Sequence, residues 1–203
     1  MRSALRILSS VVLAATCLMT TAQKASDFDP ESASIEENIQ FPAVSEKHHN
    51  AVALRMNELK EDLKAAGYEV SLVRSGEVVM VTIPCSVLFS PNETSLSAKA
   101  ASKLAALKQF VKRRSDFKVV VAVHSDDTGD ATYADRLTAD RANAIDEYFY
   151  KEDSQRDTGI IPYGIGSDEP LADNHGRANR AKNRRVEFYF IPTQEFINKA
   201  RKR

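Results

Sequence analysis

The sequence predicts an α+β sandwich, a mixed β-sheet with helices packed against one face. Three observations carry that prediction. The run Val119-Val120-Val121-Ala122-Val123 is continuously apolar, as expected of a central strand buried on both faces. Tyr68 to Arg74 and Glu77 to Ile83 alternate, are rich in Val and flank Ser75-Gly76, which reads as a β-hairpin. Two amphipathic stretches lie among these and later strands, in the order strand, helix, strand, helix, strand, long loop, strand.

The elements follow in order. Arg2 and Arg6 precede an apolar run from Ile7 to Met19 and then Thr20-Thr21-Ala22, the pattern of an export signal over residues 1–22 cut after Ala22. The run is short for a membrane span, which needs roughly 20 apolar residues. An uncleaved anchor is the first alternative and lipidation at Cys17 the second, although Thr16 is a poor residue before a lipidated cysteine. Residues 23–45 are polar, acidic and Ser-rich and read as a flexible linker. Residues 46–76 hold a helix, with Val52, Met56, Leu59 and Leu63 near helical spacing and Gly67 as its stop, and then the first hairpin strand.

The main domain spans residues 77–192. It contains the second hairpin strand and a helix from about Ala98 to Arg114, capped by Ser97, with Leu104, Leu107, Phe110 and Val111 on one face. The Val119–Val123 strand follows, then a helix from about Thr138 to Tyr150 with Thr138 as N-cap. A strand from Ile160 to Ile165, a polar loop from Gly166 to Lys182 and a strand from Arg185 to Ile191 complete it. Pro192 breaks the last strand, and residues 193–203 form a basic tail in which a short helix fits.

Charge narrows the function classes. Lys plus Arg number 28 and Asp plus Glu number 28, so no global charge points to nucleic acid. Acidic residues concentrate early and basic ones late, at Arg177, Arg180, Lys182, Arg184 and Arg185. That late cluster suits an anionic polymer or simply a solvated face. If Cys17 leaves with the signal, Cys85 has no disulfide partner, and beside Pro84 at a strand end it reads as a small core residue.

The informative polar segment is His124-Ser125-Asp126-Asp127-Thr128-Gly129, followed by Leu137-Thr138-Ala139-Asp140-Arg141-Ala142. Asp126 stands where the apolar strand ends, and Arg141 is expected near the positive end of its helix. Together they could clamp a zwitterion, the carboxylate receiving an ammonium and the guanidinium forking onto a carboxylate, helped by N–H groups of the first turn. The same spacing fits a private salt bridge between the two.

Asp126, Gly129, Leu137, Arg141 and Ala142 resemble the signature of the OmpA-like C-terminal domain. So do Gly164-Ile165-Gly166, Pro170, Asn174, Gly176-Arg177 and Asn183-Arg184-Arg185-Val186-Glu187, in the same order, and Leu88-Phe89 and Leu96 upstream. The resemblance covers about Val78 to Pro192 and implies that family's βαβαββ sandwich, preceded here by the N-terminal helix and the start of the hairpin. It also implies non-covalent peptidoglycan binding in the periplasm. Asp126 and Arg141 would hold meso-diaminopimelate of the stem peptide. Thr128 would belong to the ligand-binding set, and Asn183 and Arg184 would line or support the pocket.

Three departures stand out: Ser125 where the family has Thr, Asp127 where Asn is frequent, and Ala134 where an Asn usually precedes the Leu-Ser pair. They bear on affinity. No run of amphipathic strands long enough for a membrane barrel precedes the domain. An enzyme is the first rival, but His48-His49 and His175 do not complete a metal site with His124, and no nucleophile–base pair or glycine-rich phosphate loop is seen. No cofactor is implied. The second rival is an envelope scaffold that keeps the fold, has weakened or lost murein binding and engages protein partners. A motor stator needs a genuine transmembrane helix. Membrane attachment is expected only through a lipid at Cys17.

Overall fold

The computed structural model describes residues 28–151 and 159–200. The export signal, Cys17 and the last three basic residues lie outside them. Five strands form one mixed sheet: β1 (Glu69–Val73), β2 (Val78–Pro84), β3 (Phe117–His124), β4 (Ile160–Gly166) and β5 (Arg185–Pro192). Their order is β1-β2-β5-β3-β4. Only β3 and β4 run parallel, joined by a long helical crossover, and the other neighbours are antiparallel.

The period-two patterning of these strands sends alternate residues to opposite faces. Val79, Val81 and Ile83 of β2, Val119, Val121 and Val123 of β3, and Val186, Phe188 and Phe190 of β5 enter the main core. Helices cover that face: α2 (Glu46–Ala65) with Val52, Met56, Leu59 and Leu63, α4 (Ala98–Val111) with Leu104 and Leu107, and α5 (Ala131–Lys151) with Ile145 and Phe149. A single-turn helix, α3 (Cys85–Leu88), follows β2 directly. The expected class, an α+β sandwich with its main helices on one face, is the fold found.

Three local expectations differ from what forms. First, residues 28–45 are not all linker. A short helix, α1 (Ile35–Gln40), packs on the second face of the sheet, where Ile35 and Ile39 meet Val78, Val120 and Ile191. Two apolar residues at i and i+4 suffice because a Ser34–Glu37 capping box starts the helix. The fully buried Asn38 donates to Pro30 O and Tyr163 Oη and accepts from Lys118 Nζ, so its polar atoms are satisfied.

Second, α5 begins at Ala131 and not at Thr138, because Asp130 caps it. The Asp130 carbonyl accepts from Ala134 N at 3.0 Å and its carboxylate from Tyr133 N at 3.1 Å. Thr138 is therefore a buried interior residue, donating to Ala134 O and accepting from Gly166 N. Third, the polar loop after β4 contains a helix, α6 (Arg177–Asn183), made of residues with no apolar stripe. The short helix expected in the tail does form, as α7 (Gln194–Ala200), and it buries Phe196, Ile197 and Ala200 against the main core.

Gly164 marks where β4 passes closest to α5. A Cβ there would lie 2.6 Å from Ala139 Cα and 2.8 Å from the Thr138 carbonyl carbon. Both are backbone atoms that cannot step aside. Gly164→Ala is expected to destabilise the fold by roughly 1–3 kcal/mol through overpacking. A denaturant midpoint equal to that of the wild type would contradict so close an approach.

Candidate functional site

The site is assembled where β3 ends and β5 begins. Asp126 follows β3 by two residues and is 2% exposed. Its Oδ1 accepts the Thr128 amide at 2.9 Å and the Thr128 hydroxyl, a tight local turn that Asp favours after a strand. Its Oδ2 pairs with Arg184 Nη1. Burial alone would push the carboxyl up, but the Thr128 hydroxyl and amide and the Arg184 guanidinium outweigh it and hold the group below its ordinary 3.8. A lowered carboxylate keeps its charge, and the contacts that depend on it, at and above 3.8 and loses them only as pH falls further. Any binding through Asp126 is therefore expected to be level from pH 7 down to the ordinary carboxylate range. A binding loss centred near pH 6 would contradict this.

Arg141 sits in the third turn of α5 and is 5% exposed. Its Nε donates to Glu93 O at 2.8 Å, its Nη2 to Ser90 O at 3.2 Å, and the guanidinium lies 4.9 Å from the Phe89 ring centroid. The segment after α3 thus cradles it and sets the plane of its fork. Among the described residues, no carboxylate lies within salt-bridge distance of Arg141. The expected private pair does not form, since Asp126 pairs with Arg184 instead. Nor is Arg141 at a helix start, because α5 begins earlier, so first-turn N–H groups do not reinforce it.

Cys85 joins these parts. Its amide donates to Arg184 O at 3.0 Å, its Sγ lies 3.7 Å from His124 O, and its thiol feels both Arg141 and Arg184. Burial nonetheless pushes the thiol up to about 11, which makes it a packing group rather than a nucleophile. Asn183 makes no hydrogen bond to Asp126. It is fully buried, exchanges hydrogen bonds with Ala172 N and O at 2.9 Å each, and donates to Asn174 Oδ1 at 2.8 Å. It supports the loop before α6, whose Asn174 in turn accepts from Asp127 N.

Behind the site, on the second face of the sheet, Glu187 binds Arg185 Nε at 2.6 Å, His124 Nε2 at 3.2 Å and the Tyr189 hydroxyl at 2.6 Å. His124 and Arg185 are thereby structural. The cradle residues Cys85, Phe89, Ser90 and Glu93 were not identified as site residues from sequence. They approach Arg141 from distant positions in the chain, Ser90 and Glu93 through carbonyls, Phe89 through its ring and Cys85 through its thiol, and no residue-type pattern signals that. Among the described residues no cluster of three or more His, Cys, Asp or Glu could hold a metal ion, and no helix is long and apolar enough to cross a membrane.

A helix-backed mixed sheet, with a buried carboxylate just past β3 and a buried guanidinium on α5 that has no carboxylate partner among the described residues, defines a small α+β domain with a polar cluster. Residues 88–184 match the model of the OmpA family. It is 29% identical over 139 residues to the probable lipoprotein YiaD of Escherichia coli (strain K12), covering 68% of this chain and 62% of that one. It is 28% identical over 108 residues to the peptidoglycan-associated lipoprotein of Legionella pneumophila, covering 53% of this chain and 60% of the relative. Both matches thus span less than two thirds of the relative. A putative MotB-like protein from Desulfovibrio vulgaris shares the fold, with a TM-score of 0.62 and 24% identity over 71% of this chain and 95% of that structure.

Proposed function

We propose that this domain is a non-catalytic peptidoglycan-binding module that links the cell wall to the outer envelope of a Gram-negative bacterium. It takes the zwitterionic end of meso-diaminopimelate in the stem peptide, with the ammonium on Asp126 and the carboxylate on Arg141. One observation carries the reading: Arg141 is buried, held rigid by the carbonyls of Ser90 and Glu93, and lacks a carboxylate counter-ion among the described residues. A desolvated, unneutralised guanidinium is costly and is well suited to an anion that arrives from outside. Asp126 supplies the complementary charge just past the end of β3, and Thr128 fixes its orientation. The Legionella relative, named a peptidoglycan-associated lipoprotein, supports the partner class. Export by residues 1–22, or lipidation at Cys17, would deliver the domain to the periplasm.

The scaffold alternative draws on one observation, the Arg184 guanidinium already seated on Asp126. Sedimentation of the purified protein with isolated sacculi separates the two readings. The binding module co-sediments with diaminopimelate-type sacculi, is released by free meso-diaminopimelate, and is retained far less by lysine-type sacculi. Equal retention by both types, or none by either, rejects the diaminopimelate site.

A further inference from the structure

We propose that Arg184 is the resident occupant of the ammonium seat on Asp126, so that ligand binding exchanges one cation for another. The ligand's ammonium takes Asp126 Oδ2, and the displaced Arg184 guanidinium turns to join Arg141 on the ligand's carboxylate. The inference rests on the peptidoglycan reading above and adds a selection rule to it.

The two arginines are anchored very differently. Arg141 is buried and fixed by two carbonyls and the Phe89 ring. The Arg184 side chain is 40% exposed, and among the described residues Asp126 is the only side chain it bonds. Its backbone is nevertheless fixed, since its amide donates to Arg180 O at 3.1 Å and its carbonyl accepts Cys85 N at 3.0 Å. Arg184 can therefore leave Asp126 by rotating side-chain torsions alone, at no cost to β5. Asp126 cannot follow, because Thr128 holds its other oxygen and the side chain is nearly inaccessible.

The charge count favours the exchange. Two guanidiniums and one carboxylate leave these three side chains with a surplus positive charge, and Arg184 adds to burial in disfavouring the charged form of Arg141. A ligand carboxylate between them converts that repulsion into two charge-assisted contacts. A ligand with an ammonium but no carboxylate expels Arg184 to solvent without offering it a partner. A ligand with only a carboxylate leaves Arg184 on Asp126 and meets Arg141 alone. Only the zwitterion satisfies all three side chains, so Arg184 couples the two halves of recognition and selects against stem peptides whose diaminopimelate carboxyl is amidated.

The test is titration of the full chain with a meso-diaminopimelate muropeptide and with its amidated counterpart. The wild type is expected to prefer the free carboxylate. In Arg184→Ala that preference shrinks by about 10-fold or more, the value of a charge-assisted contact, while the amidated ligand binds as well as before or better. Arg184→Lys, which keeps a cation for Asp126 but loses the fork, falls between them. The Nε–Hε resonance of Arg184 in the wild type shifts on binding the free-carboxylate ligand. Equal weakening of both ligands by Arg184→Ala, or an unmoved Arg184 resonance, overturns the exchange while leaving the peptidoglycan reading standing. Binding of neither ligand by the wild type overturns both.

Discussion

Arg141→Ala is expected to abolish co-sedimentation with diaminopimelate-type sacculi while the domain remains folded. Removing one partner of a desolvated, hydrogen-bonded charge contact costs about 2–5 kcal/mol, enough to empty a sacculus pellet at micromolar protein. Folding is affected much less, because two effects oppose. The variant loses the hydrogen bonds to Ser90 and Glu93 carbonyls, and it also removes a buried cation without a carboxylate partner. Arg141→Lys is expected to bind poorly as well, since an ammonium cannot reproduce the planar fork that the cradle aims. Asp126→Ala is expected to give the same loss by the other route, freeing Arg184 and leaving the ligand's ammonium unpaired. Circular dichroism of each variant, read beside the pellet, separates a lost contact from a lost fold. Undiminished sedimentation of both variants would remove Asp126 and Arg141 from the binding site.

Glu187→Ala is expected to produce the largest loss of folding stability, roughly 3–5 kcal/mol, because it breaks a buried ion pair by deleting one partner. Glu187 is 3% exposed and serves three groups, Arg185, His124 and Tyr189. Without it the Arg185 guanidinium, itself buried, keeps only carbonyl partners among the described residues, Glu169 O and Asn183 O. Burial raises the Glu187 carboxyl, but His124, Arg185 and the Tyr189 hydroxyl outweigh that and lower it from 4.5 to about 2. The sign follows directly. A carboxylate lowered in the folded state stabilises fully above 4.5, and that stabilisation drains away as pH falls from there towards 2. The shift corresponds to roughly 3 kcal/mol, the same order as the mutational estimate. Equilibrium urea unfolding at pH 7 and pH 3 checks both statements. The wild type should weaken on acidification more than the variant does, and parallel weakening would contradict the network.

The strands were legible because their apolar residues follow period two or run unbroken. Val119 to Val123 had nowhere to go but the middle of a sheet, and both sides of β3 are indeed paired. Other elements were hidden for identifiable reasons. The sequence reading started α5 at Thr138, whereas the helix is capped by Asp130, and the later start moved Arg141 to a helix end it does not occupy. The α6 sequence carries no apolar periodicity, and α1 has only Ile35 and Ile39 to mark its buried face. The motifs named the candidate residues, but not the contacts among them. Arg184 reaches Asp126 across 58 positions, and the carbonyls that hold Arg141 lie 48 and 51 positions away. Pairwise chemistry over such separations is settled by β5 lying beside β3 and by the turn after α3, which no local pattern encodes.

The central claim is that Asp126 and Arg141 together bind a wall-derived zwitterion. The most direct measurement is an amide and guanidinium resonance titration of the folded protein with a meso-diaminopimelate muropeptide. The account expects saturable shifts confined to Asp126, Thr128, the Nε–Hε groups of Arg141 and Arg184, and the Ser90–Glu93 cradle. No shift at saturating ligand, or shifts centred on α2 or α7 instead, would contradict it.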